Sequence, residues 1–374
     1  MLSSTIDRGV SAPVPNRTEF HPLRVATVKQ ETRDAVTITF EVPAELRETF
    51  RFTQGQYVTL RARIGEEDIE RSYSICSAAQ DGVLQVGVKK AQGGVFSNWI
   101  VENVKPGSTL EVKPPEGRFH IALCPQQAKH YVAFAVGSGI TPVLSIIKTT
   151  LFTERRSQFT LFYGNRASST IMFREELAEL KDMFLDRFSL IHVMTREHQD
   201  IDLLNGRITG EKAALLLEQF CQPGNVDYIF LCGPRPMVDD LLPTLKKIGV
   251  AESRIKVELF TPSGYGREVK PGPDLAPSTE ECQVTIVADG IRHRFSLAKD
   301  SETILDSALR RGIDLRHSCK SGVCATCRAK LVEGQVQMDA HYALEDYEIE
   351  RGFILTCQSY PLTDEVSIDF DQDN

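Results

Sequence analysis

HSCKSGVCATC, residues 317–327, and LTCQ, residues 355–358, hold four of the nine cysteines of this chain and decide how the rest of it is read. Cys319, Cys324 and Cys327 are separated by four and two residues, and Cys357 follows thirty positions later. That is the spacing in which thiolates commonly ligate a [2Fe-2S] cluster, the first of three readings. Three thiolates on one short loop can wrap such a cluster, Ser321 and Gly322 let backbone N–H groups turn toward the sulfurs, and the fourth thiolate closes the cage from a distant strand end. Zinc is the competing ligand, although structural zinc sites usually pair two close Cys/His couples and Cys357 stands alone. A set of inert buried thiols is the third reading.

Around the motif, Gln283 to Ala288 and Ile291 to Leu297 flank Asp289-Gly290, a hairpin signal, and Ile304 to Arg310 reads as a short helix. Upstream, TPSGYGREVKPGPDLAPST, residues 261–279, is rich in Pro, Gly and Ser and reads as a linker. From Lys129 to about Phe260 strands and helices alternate: strands Tyr131 to Val136, Phe159 to Tyr163, Leu190 to Met194 and Tyr228 to Leu231, and helices Val143 to Leu151, Phe173 to Lys181 and Glu211 to Gln219. Such alternation implies a parallel sheet. Between His21 and Cys124 the period is two, with Val36, Ile38, Phe40 and Val42 alternating with Thr37, Thr39 and Glu41, as in an antiparallel barrel.

The expected fold is therefore multidomain, β then α/β then α+β. Its units are a loose N-terminal arm (1–19), a barrel (20–125), a parallel-sheet unit (126–260), a linker (261–280) and the cysteine-bearing unit (281–374). At 374 residues the chain has room for two or three domains. No stretch has the ~20 uninterrupted apolar residues of a membrane span and the N-terminus lacks a signal-peptide core, so a cytoplasmic protein is expected. An odd number of cysteines, five of them scattered, does not resemble a disulfide framework. Residues from Glu281 onward carry 17 acidic and 10 basic side chains, hence −7 of the net charge of −8. That asymmetry argues against nucleic acid and suits either docking of a basic partner or plain solubility.

Two further clusters carry chemistry. Arg71-Ser72-Tyr73-Ser74 ends a strand-rich stretch: Arg71 can pair with a phosphate, Tyr73 can lie along an isoalloxazine ring and Ser74 can hydrogen-bond near its N5. Alone, the string is better read as an amphipathic barrel strand with a solvated arginine. Gly137-Ser138-Gly139-Ile140-Thr141-Pro142 joins a strand to a helix, with Thr141 placed to cap and Pro142 in the first turn, where N–H groups can meet a pyrophosphate. It is not the Rossmann glycine fingerprint, because Pro142 stands where the third glycine would be. After the second strand, where a 2′-hydroxyl binder would carry Asp or Glu, the chain has Asn165, Arg166, Ser168 and Ser169, which suit a 2′-phosphate. Arg174 is a further candidate.

Together these pieces resemble the ferredoxin-NADP reductase superfamily joined to a C-terminal plant-type [2Fe-2S] ferredoxin domain of β-grasp fold. Arg71 to Ser74 resemble its RxYS flavin motif, FTQGQYVTL (52–60) precedes it, and Gly94-Val95-Phe96-Ser97 resemble its later pyrophosphate loop. Thr195-Arg196 resemble the Ser-Arg pair of NADP-binding relatives. Cys232-Gly233-Pro234 with Pro236 and Met237 resemble its CGPxxM turn beside the nicotinamide, and Glu258 and Phe260 its closing glutamate and aromatic. The resemblance implies FAD, NADPH and a [2Fe-2S] cluster on Cys319, Cys324, Cys327 and Cys357, with Ser74, Cys232 and Glu258 nearest the hydride-transfer chemistry. VKQETRDAVTITF (28–40), LFYGNR (161–166), GVCATC (322–327) and SIDFD (367–371) are similar to the family of reductases serving bacterial phenylacetyl-CoA epoxidases. That branch implies an electron-accepting partner, the oxygenase component of a di-iron multicomponent oxygenase. Other ring oxygenases, P450s or desaturases are alternative acceptors, and a redox sensor without turnover is the alternative of another class.

Overall fold

The computed structural model describes residues 19–221, 223–260, 281–299, 301–317, 319–320 and 322–372. The expected linker, Ser321 and all of the N-terminal arm but Glu19 lie outside them.

An antiparallel sheet comes first. Strands β1 (His21–Thr32), β2 (Ala35–Glu41), β3 (Tyr57–Ile64), β4 (Glu67–Ser74) and β5 (Leu84–Lys89), helix α1 (Val95–Asn103) and strand β6 (Thr109–Val112) give the order β4-β3-β6-β1-β2-β5. An Ile75↔Val86 bridge and the Cys76 N–H donating to Gln85 O at 2.9 Å draw the two edges together, so the sheet curls into a barrel. Val36, Ile38 and Phe40 fill its interior, as the period of two predicts. The opposite face of β2 is not solvated as alternation with threonine suggests: Ala35 and Thr37 are buried too, because the next unit packs there. Helix α1 is a second departure, since the glycine-led segment was expected as a loop; Phe96 and Ile100, one helical turn apart, bury against the barrel.

The second unit runs β7 (His130–Val136), α2 (Ile140–Thr153), β8 (Gln158–Asn165), α3 (Arg174–Met183), β9 (Phe188–Met194), α4 (Gly210–Phe220), β10 (Tyr228–Gly233), α5 (Arg235–Lys247) and β11 (Ile255–Leu259). All strand pairs are parallel, in the order β11-β10-β7-β8-β9. Helices cover both faces, which is why β7 is apolar from Tyr131 onward: Tyr131 and Ala133 join the α2 side, Val132 and Phe134 the α4 and α5 side. The strand order reverses between β7 and β10, the place where open α/β sheets bind ligands at their C-terminal ends.

The third unit holds β12 (Glu281–Ala288), β13 (Ile291–Ala298), α6 (Ile304–Arg310), β14 (Arg328–Glu333), β15 (Val336–Met338), α7 (Asp346–Glu350), β16 (Phe353–Leu355), β17 (Ser359–Pro361) and β18 (Glu365–Asp369). Its mixed sheet has the order β13-β12-β18-β14-β16, with β12 and β18 parallel. Ala288 faces Ile291 across a two-residue turn in which Asp289 and Gly290 have φ of 51° and 73°. Two left-handed residues match the twist of a hairpin, so the Asp-Gly pair sets the register. Ile304, Leu305 and Ala308 of α6 pack on this sheet.

Candidate active site

The end of β4, the end of β5, the start of α1 and the β7–α2 turn wall a cleft of about 330 Å³. Arg71, Ser72, Tyr73 and Ser74 line one side, Gly94, Phe96 and Ser97 another, and Ser138, Thr141 and Phe260 reach in from the parallel-sheet unit. Tyr73 stacks on Phe96 with centroids 6.1 Å apart, and burial pushes its hydroxyl pKa well up, so it stays protonated. The Ser97 hydroxyl accepts from the Ala91 N–H at 3.0 Å, pinning the loop ahead of α1. A Cβ at Gly94 would lie 2.8 Å from that hydroxyl, so glycine is required for the loop to close on it. Val95 differs from its neighbours: its side chain is 58% exposed and only its backbone belongs to the first turn of α1.

Gly87, Lys89 and Lys90 also line the cleft, and the sequence reading missed them. A Cβ on Gly87 would approach Thr141 Cγ2 to 2.6 Å, so this position lets two units meet. The signal for the lysines was visible as a cationic pair at a strand end; that they face a cavity was not.

The β7–α2 turn differs in detail from expectation. Helix α2 begins at Ile140, Gly139 is its N-cap without a capping side chain, and Thr141 lies inside the helix donating to Ser138 O at 3.0 Å. Gly139 is needed for another reason: its Cβ would sit 2.2 Å from the Cys232 carbonyl oxygen. Glycine there lets the turn touch the end of β10. Cys232 and Gly233 are the last residues of that strand rather than part of a turn, and the chain bends at Pro234, where Met237 N–H donates to Pro234 O at 2.9 Å. The Phe260 N–H donates to Gly233 O at 3.2 Å, tying the aromatic that lines the cleft to the same corner.

Cys232 and Glu258 are register partners on β10 and β11. Burial, then the neighbouring Glu258, push the Cys232 thiol well up, which makes it a neutral apolar group and no nucleophile. Burial raises Glu258 to about 8, and its Oε2 is shut away from solvent without a hydrogen-bond partner among the described residues. Neither Cys232 nor Glu258 lines the cleft itself; they lie behind Phe260, which does.

At the C-terminal ends of β8 and β9, two loops are zipped by Thr195 N–H to Asn165 O at 3.0 Å and Arg196 N–H to Arg166 O at 2.8 Å. Both arginines are exposed. Ser168, expected at a 2′-phosphate, donates to Glu197 through its N–H at 2.7 Å and its hydroxyl at 2.5 Å. Those bonds hold the Glu197 carboxyl below its usual range. An anion of the chain itself thus occupies these donors. Glu197 escaped the sequence reading because its distance to Ser168 depends on how two strands align.

In the third unit the four cysteine sulfurs meet at one place. The Cys319 N–H points at Cys324 Sγ at 3.4 Å, the Cys324 thiol is pushed up foremost by its hydrogen bond with Cys319, and the Cys357 thiol by hydrogen bonds with Cys319 and Cys327. Left-handed Lys320, Gly322 and Ala325 curl the loop. Thr356 donates from N and Oγ1 to Cys327 O, at 3.2 and 3.1 Å, which brings the end of β16 to the loop. Four thiols gathered from one loop and one strand end, with the four- and two-residue spacing in the loop, are the donor set that a [2Fe-2S] cluster takes.

Comparison with known proteins agrees unit by unit. Residues 22–121 match the oxidoreductase FAD-binding domain, 134–242 the oxidoreductase NAD-binding domain and 286–362 the 2Fe-2S iron–sulfur cluster binding domain. The chain is 46% identical to one of the subunits of the 1,2-phenylacetyl-CoA epoxidase of Escherichia coli K12, over 95% of this chain and 98% of that one. The chain belongs to the ferredoxin-NADP reductase-like family of FAD- and [2Fe-2S]-dependent reductases. A second member is 34% identical: the ferredoxin reductase component of 3-ketosteroid-9-alpha-monooxygenase from Rhodococcus rhodochrous, covering 96% of this chain and 99% of its own length. In fold, this reductase resembles phthalate dioxygenase reductase with a TM-score of 0.58 at 21% identity, covering 94% and 98% of the two chains. It is an oxidoreductase. No helix among its described residues is long and apolar enough to cross a membrane.

Proposed function

We propose that this reductase carries electrons from NADPH, through FAD and the [2Fe-2S] cluster, to the oxygenase component of a di-iron multicomponent oxygenase acting on phenylacetyl-CoA. The observation that carries the chemistry is the cleft shared between units, with the RxYS strand on one wall and Thr141 and Phe260 on the other. The near full-length likeness to the Escherichia coli epoxidase component supports the choice of acceptor. FAD accepts a hydride and releases electrons singly, and a [2Fe-2S] cluster carries one electron at a time.

The residues divide the work. Arg71 and the first turn of α1, Gly94 to Ser97, would hold the flavin pyrophosphate; Ser72, Tyr73 and Phe260 would hold its ring, and Ser74 would offer a hydrogen bond to N5. Gly137, Gly139, Thr141 and Pro142 offer the nicotinamide dinucleotide a close backbone approach at the sheet's switch point, and Cys232, Gly233 and Pro234 form an apolar seat for the nicotinamide. Glu258 holds a proton at neutral pH, so it borders the seat without placing a negative charge there. Cys319, Cys324, Cys327 and Cys357 ligate the cluster. Arg166, Ser168, Thr195 and Arg196 receive the 2′-phosphate, which has to displace Glu197 from Ser168.

The test is an anaerobic visible spectrum before and after one equivalent of NADPH or NADH, followed by addition of the epoxidase oxygenase component with phenylacetyl-CoA. Flavin and cluster bands that bleach faster with NADPH, and reoxidise only with the complete oxygenase mixture, support the proposal. Faster bleaching with NADH makes Glu197 a partner of a 2′-hydroxyl instead. Efficient reoxidation by a P450 or a desaturase, but not by the epoxidase, overturns the acceptor.

A further inference from the structure

Tyr57 lies on β3 directly opposite Ser74, the cleft residue at the end of β4. Its side chain is 4% exposed, yet among the described residues its hydroxyl pairs with no group of its own unit. The hydroxyl crosses to the cysteine loop, where it meets Thr326 Oγ1 in a short hydrogen bond and lies 3.5 Å from the Cys324 carbonyl oxygen. Thr326 Oγ1 in turn donates to Glu116 Oε2 at 3.2 Å, so Tyr57 is the donor to Thr326 and the bonds run in one direction. Glu116 is held where it can accept by a backbone bridge to Tyr57, with N–H to O distances of 2.8 and 2.9 Å. Gly117 leaves the room: with φ of +114°, its Cβ would lie 3.0 Å from Tyr57 Cδ1. A buried phenol whose partners all belong to a loop some 270 residues away in the chain is not needed for the barrel; phenylalanine would pack as well.

We propose that Tyr57 is a positioning residue: its hydroxyl docks the cluster loop, at the residues between Cys324 and Cys327, onto the strand pair that borders the flavin cleft, and so sets the rate of flavin-to-cluster electron transfer. This rests on the electron order proposed above. In the step itself one electron leaves the reduced flavin and one ferric ion of the cluster becomes ferrous; no bond to Tyr57 or Thr326 forms or breaks. Their part is to hold donor and acceptor close, because electronic overlap decays steeply with separation.

The experiment uses holoenzyme variants Tyr57→Phe, Thr326→Val, Thr326→Ser and the Tyr57→Phe/Thr326→Val pair. Stopped-flow spectra resolve flavin bleaching by NADPH from the later bleaching of the cluster, and amide hydrogen exchange reports the protection of residues 323–327. Expected is cluster reduction slowed about fivefold or more in Tyr57→Phe and Thr326→Val, the effect of one buried hydrogen bond on a docking equilibrium. Flavin bleaching stays unchanged, exchange in the loop is faster, Thr326→Ser behaves as the parent, and the pair is no slower than either single variant. Unchanged loop exchange and cluster reduction in Tyr57→Phe would overturn the proposal, as would a parallel loss of flavin bleaching, which would place Tyr57 in the flavin site. If the parent protein shows no NADPH bleaching at all, the electron order fails by itself, and the exchange measurement still decides whether the hydroxyl docks the loop.

Discussion

The two boundaries inside this reductase are built differently. Between barrel and parallel-sheet unit the core is continuous: Ala35, Cys76 and Phe119 of the barrel segment belong to the same buried cluster as Tyr131, Leu144 and Phe230. Between these units and the iron–sulfur unit, ion pairs and hydrogen bonds stand beside an apolar contact, in which Val323 and Tyr342 pack on the parallel-sheet core. Arg118 reaches Glu348 at 2.8 Å, Lys256 reaches Glu345 at 3.7 Å, Arg235 lies 4.6 Å over the Tyr342 ring, and the Tyr57–Thr326–Glu116 chain crosses the same boundary. Apolar burial is non-directional and lost all at once, whereas hydrogen bonds and ion pairs trade readily with water. The first boundary is permanent and can shape a cleft across itself. The second resembles a transient protein–protein interface, which suits a domain that has to meet an external acceptor.

Breaking each boundary gives unequal effects. Cys324→Ser removes a proposed cluster ligand and acts entirely on one side: cluster-dependent cytochrome c reduction is expected to vanish while NADPH oxidation by ferricyanide persists. Loss of both activities in a folded, flavin-loaded variant would contradict the separation. Phe119→Ala attacks the permanent boundary, where the ring is 5% exposed and packs edge-on to Phe230 at 5.5 Å. A cost of about 3–5 kcal/mol is expected in denaturant unfolding, with flavin lost in the same transition.

Glu258 sharpens the comparison through pH. Its carboxyl is raised to about 8 by burial on β11, where Oε2 is shut away from solvent. The folded state therefore holds a proton that the unfolded chain releases near its ordinary value of about 4.3, and the neutral carboxyl's contribution to stability is lost as pH rises toward 8. Tm of Glu258→Gln is expected to gain on that of the parent, by about 4 °C or more between pH 5 and 9, and an unchanged gap would mean the carboxyl is hydrated. Arg118→Ala has the smallest expected effect. Arg118 is half-exposed, and Glu348 keeps Arg328 at 2.7 Å, so stability should fall by less than ~1 kcal/mol. Cluster-loop exchange should nonetheless become more salt-independent, since one screened ion pair has left the boundary.

The segment Glu116 to Phe119 shows why the sequence reading stopped where it did. Glu116 accepts from Thr326, Gly117 makes room for Tyr57, Arg118 pairs with Glu348 and Phe119 enters the shared core. Four consecutive residues thus serve all three units, and nothing in their identity announces it. Glu197 and Lys89 escaped for the same reason, their roles being set by neighbours far away in the chain. The Asp289-Gly290 hairpin and helix α6 were legible because local backbone preference and periodicity decide them.

By itself, then, the sequence marked many of the elements and the closely spaced residues on which the proposed chemistry rests: the three-cysteine loop, the RxYS strand end, the glycine turn and the alternation that separates barrel from parallel sheet. Each is a matter of spacing along one stretch of chain. Tertiary structure alone decided that Gly139 abuts the Cys232 carbonyl, that Glu258 is dry enough to keep its proton, that Glu197 already sits on Ser168 and that Tyr57 reaches the cluster loop. Burial and cross-chain distance arise only when separate segments pack, and a charge or hydroxyl acquires its function from the medium and partners that packing supplies.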